Sequence, residues 1–360
     1  MSLTRLHVKH LRNLQSVDIQ PVDGLNLVVG ENASGKTSLL EAIYLLGMGR
    51  SFRSINIRHV IQQGEHSLIV FGAVNGHSGT PTKLGVEKQR DKTRIKIDGE
   101  WIKNSAQLAY HLPLLMVTPD SHKLIEQGPR YRRQFIDWGV FHVEHAFHPN
   151  WQRFQRALKQ RNAAIKQGLS YSSVEVWNRE LAQWVDIIDK MRKDYVQELL
   201  PIAHKNISQL TDINDIQMDY QQGWKQGSGY FDYLRLHHEQ DRESGYTRYG
   251  PHRAELSIRV SGMPAAERVS RGQQKLLACA LRLAQVEHLK QRRDVNSVLM
   301  VDDLPAELDS ERRGRFLEML RQLETQVFVT ATESSLISNR ESWNRIKMFH
   351  VEHGRVTEVV

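Results

Sequence analysis

The chain has 360 residues, 40% of them hydrophobic and 25% charged, which is enough for about two to three domains with a sizeable core and too much for a peptide module. Lysine and arginine outnumber aspartate and glutamate 49 to 41, and the net charge of +8 suits a polyanionic partner without requiring one. A single cysteine, Cys279 in an apolar helical run, excludes an internal disulfide. No apolar run is long enough for a signal peptide or a membrane span, so a soluble cytoplasmic protein with no membrane partner is expected.

In chain order, Leu3–Val8 and Val17–Ile19 alternate apolar with polar residues and predict two strands joined by a turn at Leu11–Leu14. An apolar strand (Leu25, Leu27, Val28, Val29) then runs into a helix opening at Thr37 and ending near Gly47. The arginine-rich stretch Ser51–Gly64 resists assignment. Leu68–Val74, Lys83–Glu87 and Thr93–Ile97 read as strands, and Asp98–Gly99 is a hairpin turn before a return strand at Trp101. From Ser121 to about Gln222 the period is helical, with breaks expected at Pro149 and Gly168–Ser173 and a stop or kink at Pro201. Strand character resumes in Tyr249–Val260, followed by a helix over Gln273–Leu289, strands at Val298–Val301 and Gln326–Thr330, and a terminal hairpin around His353–Gly354. The expected organisation is an α/β nucleotide-binding lobe from 1–112 and 248–360, interrupted by an inserted, mainly helical lobe over 113–247.

Three segments carry chemistry. Gly30, four residues, Gly35, Lys36 and Thr37 match the phosphate-binding loop, and they stand where that loop works, between a strand and an amphipathic helix. Its glycines allow backbone N–H groups to converge on a phosphate at a helix N-terminus. Lys36 is then expected at the β- and γ-phosphates and the Thr37 hydroxyl on Mg²⁺. An ordinary glycine-rich strand–helix turn is the bland alternative. Val298–Val301 ends in Asp302 and Asp303, where the first carboxylate suits a metal shell and the second can orient or deprotonate a water. Two solvated acids at a strand end explain the same residues less well beside such a loop. Finally, Ser270-Arg271-Gly272-Gln273-Gln274 opens a helix with Ser270 as a candidate N-cap. One nucleotide needs one cradle, so a second phosphate-suited helix start predicts a dimer in which each subunit serves the other's ATP; alone, the segment would read as a capped core helix.

A phosphate loop, a Ser-x-Gly-Gln-Gln helix start and an apolar strand ending in two acids before Ala306-Glu307-Leu308-Asp309 resemble the ATP-binding-cassette (ABC) ATPase head, a mixed β-sheet around a P-loop core. Within that group the chain resembles the RecF family over its whole length, through Leu11–Ile19, Gly30–Leu46, Thr118–Asp120, Glu126–Asp137, Tyr249–Arg253, Ser270–Lys275 and Asp302–Asp309. The resemblance implies an ATP-dependent DNA-binding protein of replication and recombinational repair, with weak ATP hydrolysis as a switch. It also implies an ATP-dependent homodimer on gapped or duplex DNA, acting with RecO and RecR to load RecA in the SOS response. Carried over by residue, the nucleotide segment comprises Gly30, Glu31, Asn32, Ala33, Ser34, Gly35, Lys36, Thr37 and Ser38, with Arg12 and Asn13 nearby. ATP and Mg²⁺ are the implied cofactors, with Asp302 on the metal and Asp303 in the hydrolytic position. Ser270, Gly272 and Gln273 would reach the γ-phosphate across the dimer, and Asp309 would link the two sites.

The chain departs from the group where Asp303 replaces a glutamate, where Val329–Thr332 lacks the switch histidine, and where Ala254 and Glu255 follow the GPHR segment. Arg130, Arg132, Arg133, Arg153, Arg156 and Lys159 are candidate DNA-phosphate contacts, with Arg161 and Lys166 partly on the same helical face, although a solvated helix surface accounts for each singly. His142, His145 and His148 read as surface histidines rather than metal ligands. Two other classes share the head motifs. A tether of the SMC type needs long heptad arms that Ser121–Gln222 cannot supply, and a transporter ATPase is disfavoured by the insertion and the basic balance. A small-molecule kinase has no use for a second phosphate-facing helix.

Overall fold

Alternation of apolar and polar residues builds the first layer. In the computed structural model, which describes residues 1–76, 80–303, 308–337 and 340–359, Ser2–Leu11 (β1) and Leu14–Ile19 (β2) form an antiparallel pair around the Arg12–Asn13 turn. Leu25–Val29 (β3), buried at every position, leads through the glycine loop into Lys36–Met48 (α1). Ser67–Asn75 (β4), Thr82–Gln89 (β5), Thr93–Ile97 (β6) and Glu100–Ile102 (β7) join the opening pair in one antiparallel sheet, ordered β2-β1-β4-β5-β6-β7. Asp98 and Gly99 both take positive φ, as the tight turn between β6 and β7 requires. Ala106–His111 (α2) and Leu114–Val117 (β8) follow.

Next come Lys123–Glu126 (α3), Pro129–Val143 (α4), Phe147–Lys166 (α5), Tyr171–Leu210 (α6), Ile216–Gln221 (β9), Tyr230–Leu236 (α7) and His238–Ser244 (α8). Glu255–Val260 (β10), Met263–Pro264 (β11), Ala265–Arg268 (α9) and Arg271–Arg293 (α10) succeed them. The chain closes with Val298–Val301 (β12), Ser310–Gln322 (α11), Val327–Ala331 (β13), Ile346–Glu352 (β14) and Arg355–Val359 (β15).

Residues 1–121 with 289–360 form one compact unit and 122–288 another. In the first, a second sheet runs β15-β14-β3-β13-β12-β8, parallel from β14 to β8 with β15 antiparallel at its edge. Its inner strands are continuous apolar runs because parallel sheets are covered on both faces. Helix α1 packs between the two sheets and contributes Leu39, Leu40, Ile43, Leu45 and Leu46 to a core shared with both. Glycines permit that approach on either side: a Cβ at Gly47 would strike Leu114 of β8, and one at Gly72 would strike Leu46 of α1.

The second unit holds the helical block and a three-stranded sheet, β11-β10-β9. Residues 113–121 thus pack with the first unit, since β8 is the parallel neighbour of β12, while 248–288 pack with the second, since β10 pairs with β9. The compact units are therefore bounded elsewhere than the three segments expected from sequence.

Local expectations are corrected at several points. Helix α6 runs through Pro201, because Leu199, Ala203, Ile207 and Leu210 bury an apolar stripe across the lost hydrogen bond. Pro149 does not separate helices but sits in the first turn of α5, where its missing N–H has no helical partner. Ile216–Gln221, expected as helix, is a strand paired with β10, and β10 itself starts only at Glu255, after a 3-10 turn at Pro251–Arg253.

Candidate nucleotide-binding site

The glycine loop connects β3 to α1 in the first unit, and its shape depends on backbone that side chains would obstruct. Gly30 (φ 156°) and Gly35 (φ 125°) lie in the left-handed half of conformational space. A Cβ at Gly30 would run into the carbonyl of Val351, and one at Gly35 would press on the Asn13 amide. Two residues, Asn13 and Gly354, brace the loop from outside. The Asn13 amide donates to the Ser34 carbonyl (2.9 Å) while its oxygen accepts from the Ser38 hydroxyl (3.0 Å), and the Gly354 N–H donates to the same Ser34 carbonyl (2.9 Å). Arg12 forks onto the buried Glu41 of α1, at 2.9 Å on each arm.

The charged groups converge on a cleft of about 570 Å³ lined by Arg12, Asn13, the loop residues Asn32 and Ala33, Gly35 to Ser38, Arg53 and Asp303. Lys36 is buried, and its ammonium donates to the carbonyls of Gly30 (2.7 Å) and Glu31 (2.9 Å). The Thr37 hydroxyl donates to Asp302 Oδ1 at 3.0 Å, joining the loop to the end of β12. Burial pushes the Asp302 carboxyl above its ordinary range, opposed by hydrogen bonds from Thr330 and Thr37. Asp303 takes a left-handed φ of 52°, and its Oδ1 is buried with no hydrogen-bond partner among the described residues.

A glycine-walled loop at a helix N-terminus, a buried ammonium, and a hydroxyl–carboxylate pair form a donor set that fits a nucleotide triphosphate and a hard divalent cation. Glu31, Asn32 and Ala33 are exposed on the loop, while Ser34, Gly35, Lys36 and Ser38 are buried. Sequence reasoning missed Arg53, Ser51 and Thr330. Ser51 donates its hydroxyl to Glu41, and Arg53 lies 3.6 Å from the same carboxylate. The only signal was the unassigned arginine-rich segment. Thr330 carried none, since a threonine in an apolar strand reads as a strand former.

Ser270, Gly272 and Gln273 belong to the second unit, at the start of α10. The Gln273 N–H donates to Ser270 Oγ (3.3 Å), and the Ser270 N–H donates to Gln273 Oε1 (3.0 Å), a reciprocal capping box. Asp309, in the first unit, caps α11 by accepting from the Arg312 N–H at 2.9 Å. Ala306 and Glu307 lie outside the described residues.

The basic candidates divide by environment. Arg130, Arg156 and Lys159 are exposed, and Arg153 stacks on Trp184 at 4.8 Å. Arg132 instead forks onto Glu255 (2.7 and 2.8 Å), and Arg133 donates to the Ala254 carbonyl (2.8 Å), so Ala254 and Glu255 serve as internal acceptors. Arg161 is not on the outer face at all. It is fully buried and held by Asn178, Asp241 and Thr247, because it follows Phe154, Ala157 and Leu158 on the inward stripe of α5. His142 is likewise buried rather than on the surface, packed against Trp138 and Phe141. No cluster of metal-binding side chains occurs among the described residues, and none of their helices is long and apolar enough to cross a membrane.

Residues 2–357 match the model of the RecF/RecN/SMC N terminal domain. The chain is 44% identical over 360 residues to the DNA replication and repair protein RecF of Shewanella sediminis, covering all of both chains. It is also 44% identical to the protein of that name from Pseudomonas aeruginosa, covering 99% of this chain and 98% of the other. Among solved structures, a recombination mediator protein RecF–ATP of the RecFOR pathway superimposes with a TM-score of 0.89 at 25% identity, over 99% of this chain and 97% of that one. The Smc head domain of Pyrococcus furiosus shares the fold at a TM-score of 0.61 and 15% identity, over 99% and 95% of the two chains.

Proposed function

The chain belongs to the RecF family of DNA replication and repair proteins, with the ABC-type ATPase-head fold, and from that premise we propose that it works as an ATP-dependent switch on DNA. The observation that carries this reading is the 3.0 Å hydrogen bond from Thr37 to Asp302, which brings the phosphate loop and the strand-end acids into one cleft. Gly30 to Thr37 present N–H groups to the phosphates, Lys36 neutralises the β- and γ-phosphates, and Asn13 holds the loop in shape. Thr37 and Asp302 hold the cation. Magnesium, when bound, neutralises charge on the phosphate oxygens. Asp303, which lines the cleft and has a buried carboxylate oxygen with no hydrogen-bond partner among the described residues, orients the attacking water and accepts its proton.

Ser270, Gly272 and Gln273 of a second copy contact the γ-phosphate in the ATP-bound dimer, and Asp309 links the two sites. ATP thereby closes a homodimer on gapped or duplex DNA, and slow hydrolysis reopens it. Arg130, Arg153, Arg156 and Lys159 contact DNA phosphates, a role that needs charge but no sequence-specific geometry. RecO and RecR are the protein partners and RecA loading the outcome, in the cytoplasm.

Lys36→Met tests the reading. Removing the charge-assisted contact should weaken ATP affinity by about 10- to 100-fold and abolish ATP-dependent retention on DNA, with the thermal midpoint unchanged. Wild-type ATP affinity and DNA retention in that variant would refute it.

A further inference from the structure

Thr330 lies in β13, fully buried, beside the end of β12. The two strands pair in register, Leu299 with Val327, Met300 with Phe328 and Val301 with Val329, so Thr330 is the next position opposite Asp302. Along β12, alternate N–H groups point toward β13, as that of Leu299 does in donating to the Gln326 carbonyl (2.9 Å). The next N–H on that side after the strand ends is that of Asp303, and it donates to the Thr330 hydroxyl oxygen at 2.8 Å. A side chain thus takes a place that a backbone carbonyl holds within the ladder.

A hydroxyl has one proton and two lone pairs. With Asp303 N–H on one lone pair, the Thr330 proton goes to Asp302 Oδ1, 2.9 Å away, the same oxygen that accepts from Thr37 at 3.0 Å. The Asp302 carboxylate is therefore held between α1 and β13, and its orientation is set from both. Asp303 stands at φ 52°, a left-handed conformation that L residues other than glycine seldom adopt, and the Thr330 bond holds it there.

We propose that Thr330 is the positioning residue that couples the two acids, its single hydroxyl aiming Asp302 at the cation and Asp303 at the water. This inference rests on the reading of the cleft as a Mg²⁺–ATP site. Valine keeps the shape of threonine and lacks the hydroxyl, whereas serine keeps the hydroxyl.

The experiment compares full-length wild type, Thr330→Val, Thr330→Ser and Lys36→Met in two readouts. One is hydrogen exchange of the 298–303 peptide without nucleotide. The other is the affinity of a fluorescent ATP analogue with Mg²⁺ and with EDTA. Thr330→Val should raise exchange at the Asp303 amide by about tenfold and lose about tenfold in the Mg²⁺-dependent gain in affinity, while affinity in EDTA stays within about twofold. Thr330→Ser should restore both. Lys36→Met should weaken affinity with and without Mg²⁺ and leave exchange unchanged, which separates loss of the phosphate contact from loss of acid positioning.

Wild-type exchange and a wild-type Mg²⁺ gain in Thr330→Val would overturn the proposal and leave the nucleotide reading intact. A wild-type chain that binds no ATP would overturn the nucleotide reading, and the metal part of the proposal with it. Where Thr330→Val folds poorly, Thr330→Ala gives the same comparison without a buried methyl facing two polar groups.

Discussion

A side chain's role in this molecule is decided by which neighbours it meets, and identical residue types take opposite roles. Arg156 is exposed, while Arg161, little more than one helical turn further along α5, is fully buried against Asp241. Composition made both candidates for DNA, and only the apolar stripe of Phe154, Ala157 and Leu158 separates them. His142 makes the same point for titration. Burial lowers its pKa from 6.5 to about 3, so the folded chain keeps it neutral. Between pH 6.5 and about 3 the unfolded chain binds a proton that the folded chain refuses, and stability must fall as pH falls through that window. Above pH 6.5 both states are neutral there and the contribution is complete. His142→Phe should flatten the acid limb of stability against pH by up to about 1.4 kcal/mol per pH unit, measured by denaturant titration. An unchanged slope would show that the imidazole is solvated. Thr330 was illegible in the sequence for the converse reason: its hydroxyl acquires meaning only from Asp302 and Asp303, 27 or 28 residues away.

At the scale of elements, periodicity predicted most strands and helices, and long-range packing overrode it in a few places. Alternation in β1, β4, β5 and β6 was legible because each has one buried face. Pro201 was read as a stop or a kink because local backbone chemistry disfavours it, and the buried stripe of α6 carries the helix through it. The Ser270–Gln273 pair was legible as a helix start, and the structure adds that glutamine returns the cap. Helix α1 depends on close approach, since it is packed against sheets on both sides. Gly47→Ala should force α1 away from Leu114 and cost about 1–3 kcal/mol in denaturant titration, with a weakened nucleotide affinity because α1 carries Lys36 and Thr37. Gly314→Ala in α11, where a Cβ meets nothing within 4 Å, is the control and should be neutral or slightly stabilising. Equal effects at the two glycines would show that space beside α1 is not limiting.

For the whole molecule, the proposed dimer uses together two phosphate-suited helix starts that are far apart in the chain, those of α1 and α10, without requiring a second nucleotide site in one chain. Asp303→Asn keeps the side-chain size and removes the carboxylate proposed as the base, so it should accumulate an ATP-bound dimer in sedimentation and a tighter, salt-sensitive complex with gapped DNA. Adding Arg130→Ala, Arg156→Ala and Lys159→Ala should reduce the dependence of DNA affinity on salt by about 2 to 3 in log–log slope, with dimerisation retained. A monomer in ATP would dismiss the switch, and an unchanged salt slope would move the DNA contact to another face.

The amino-acid sequence by itself determined the glycine loop, the paired acids and the capped helix, because each is a short-range pattern in which spacing alone places atoms together, and the order of such motifs along the whole chain carried the resemblance to the family. It also determined the apolar strands, whose period reports a covered face. The tertiary structure decided which basic residues face solvent, where the compact units divide, and how Asn13, Gly354, Arg53 and Thr330 brace the cleft. Those outcomes arise from contacts between residues far apart in the chain, and a contact of that kind leaves no periodic trace in either partner's neighbourhood.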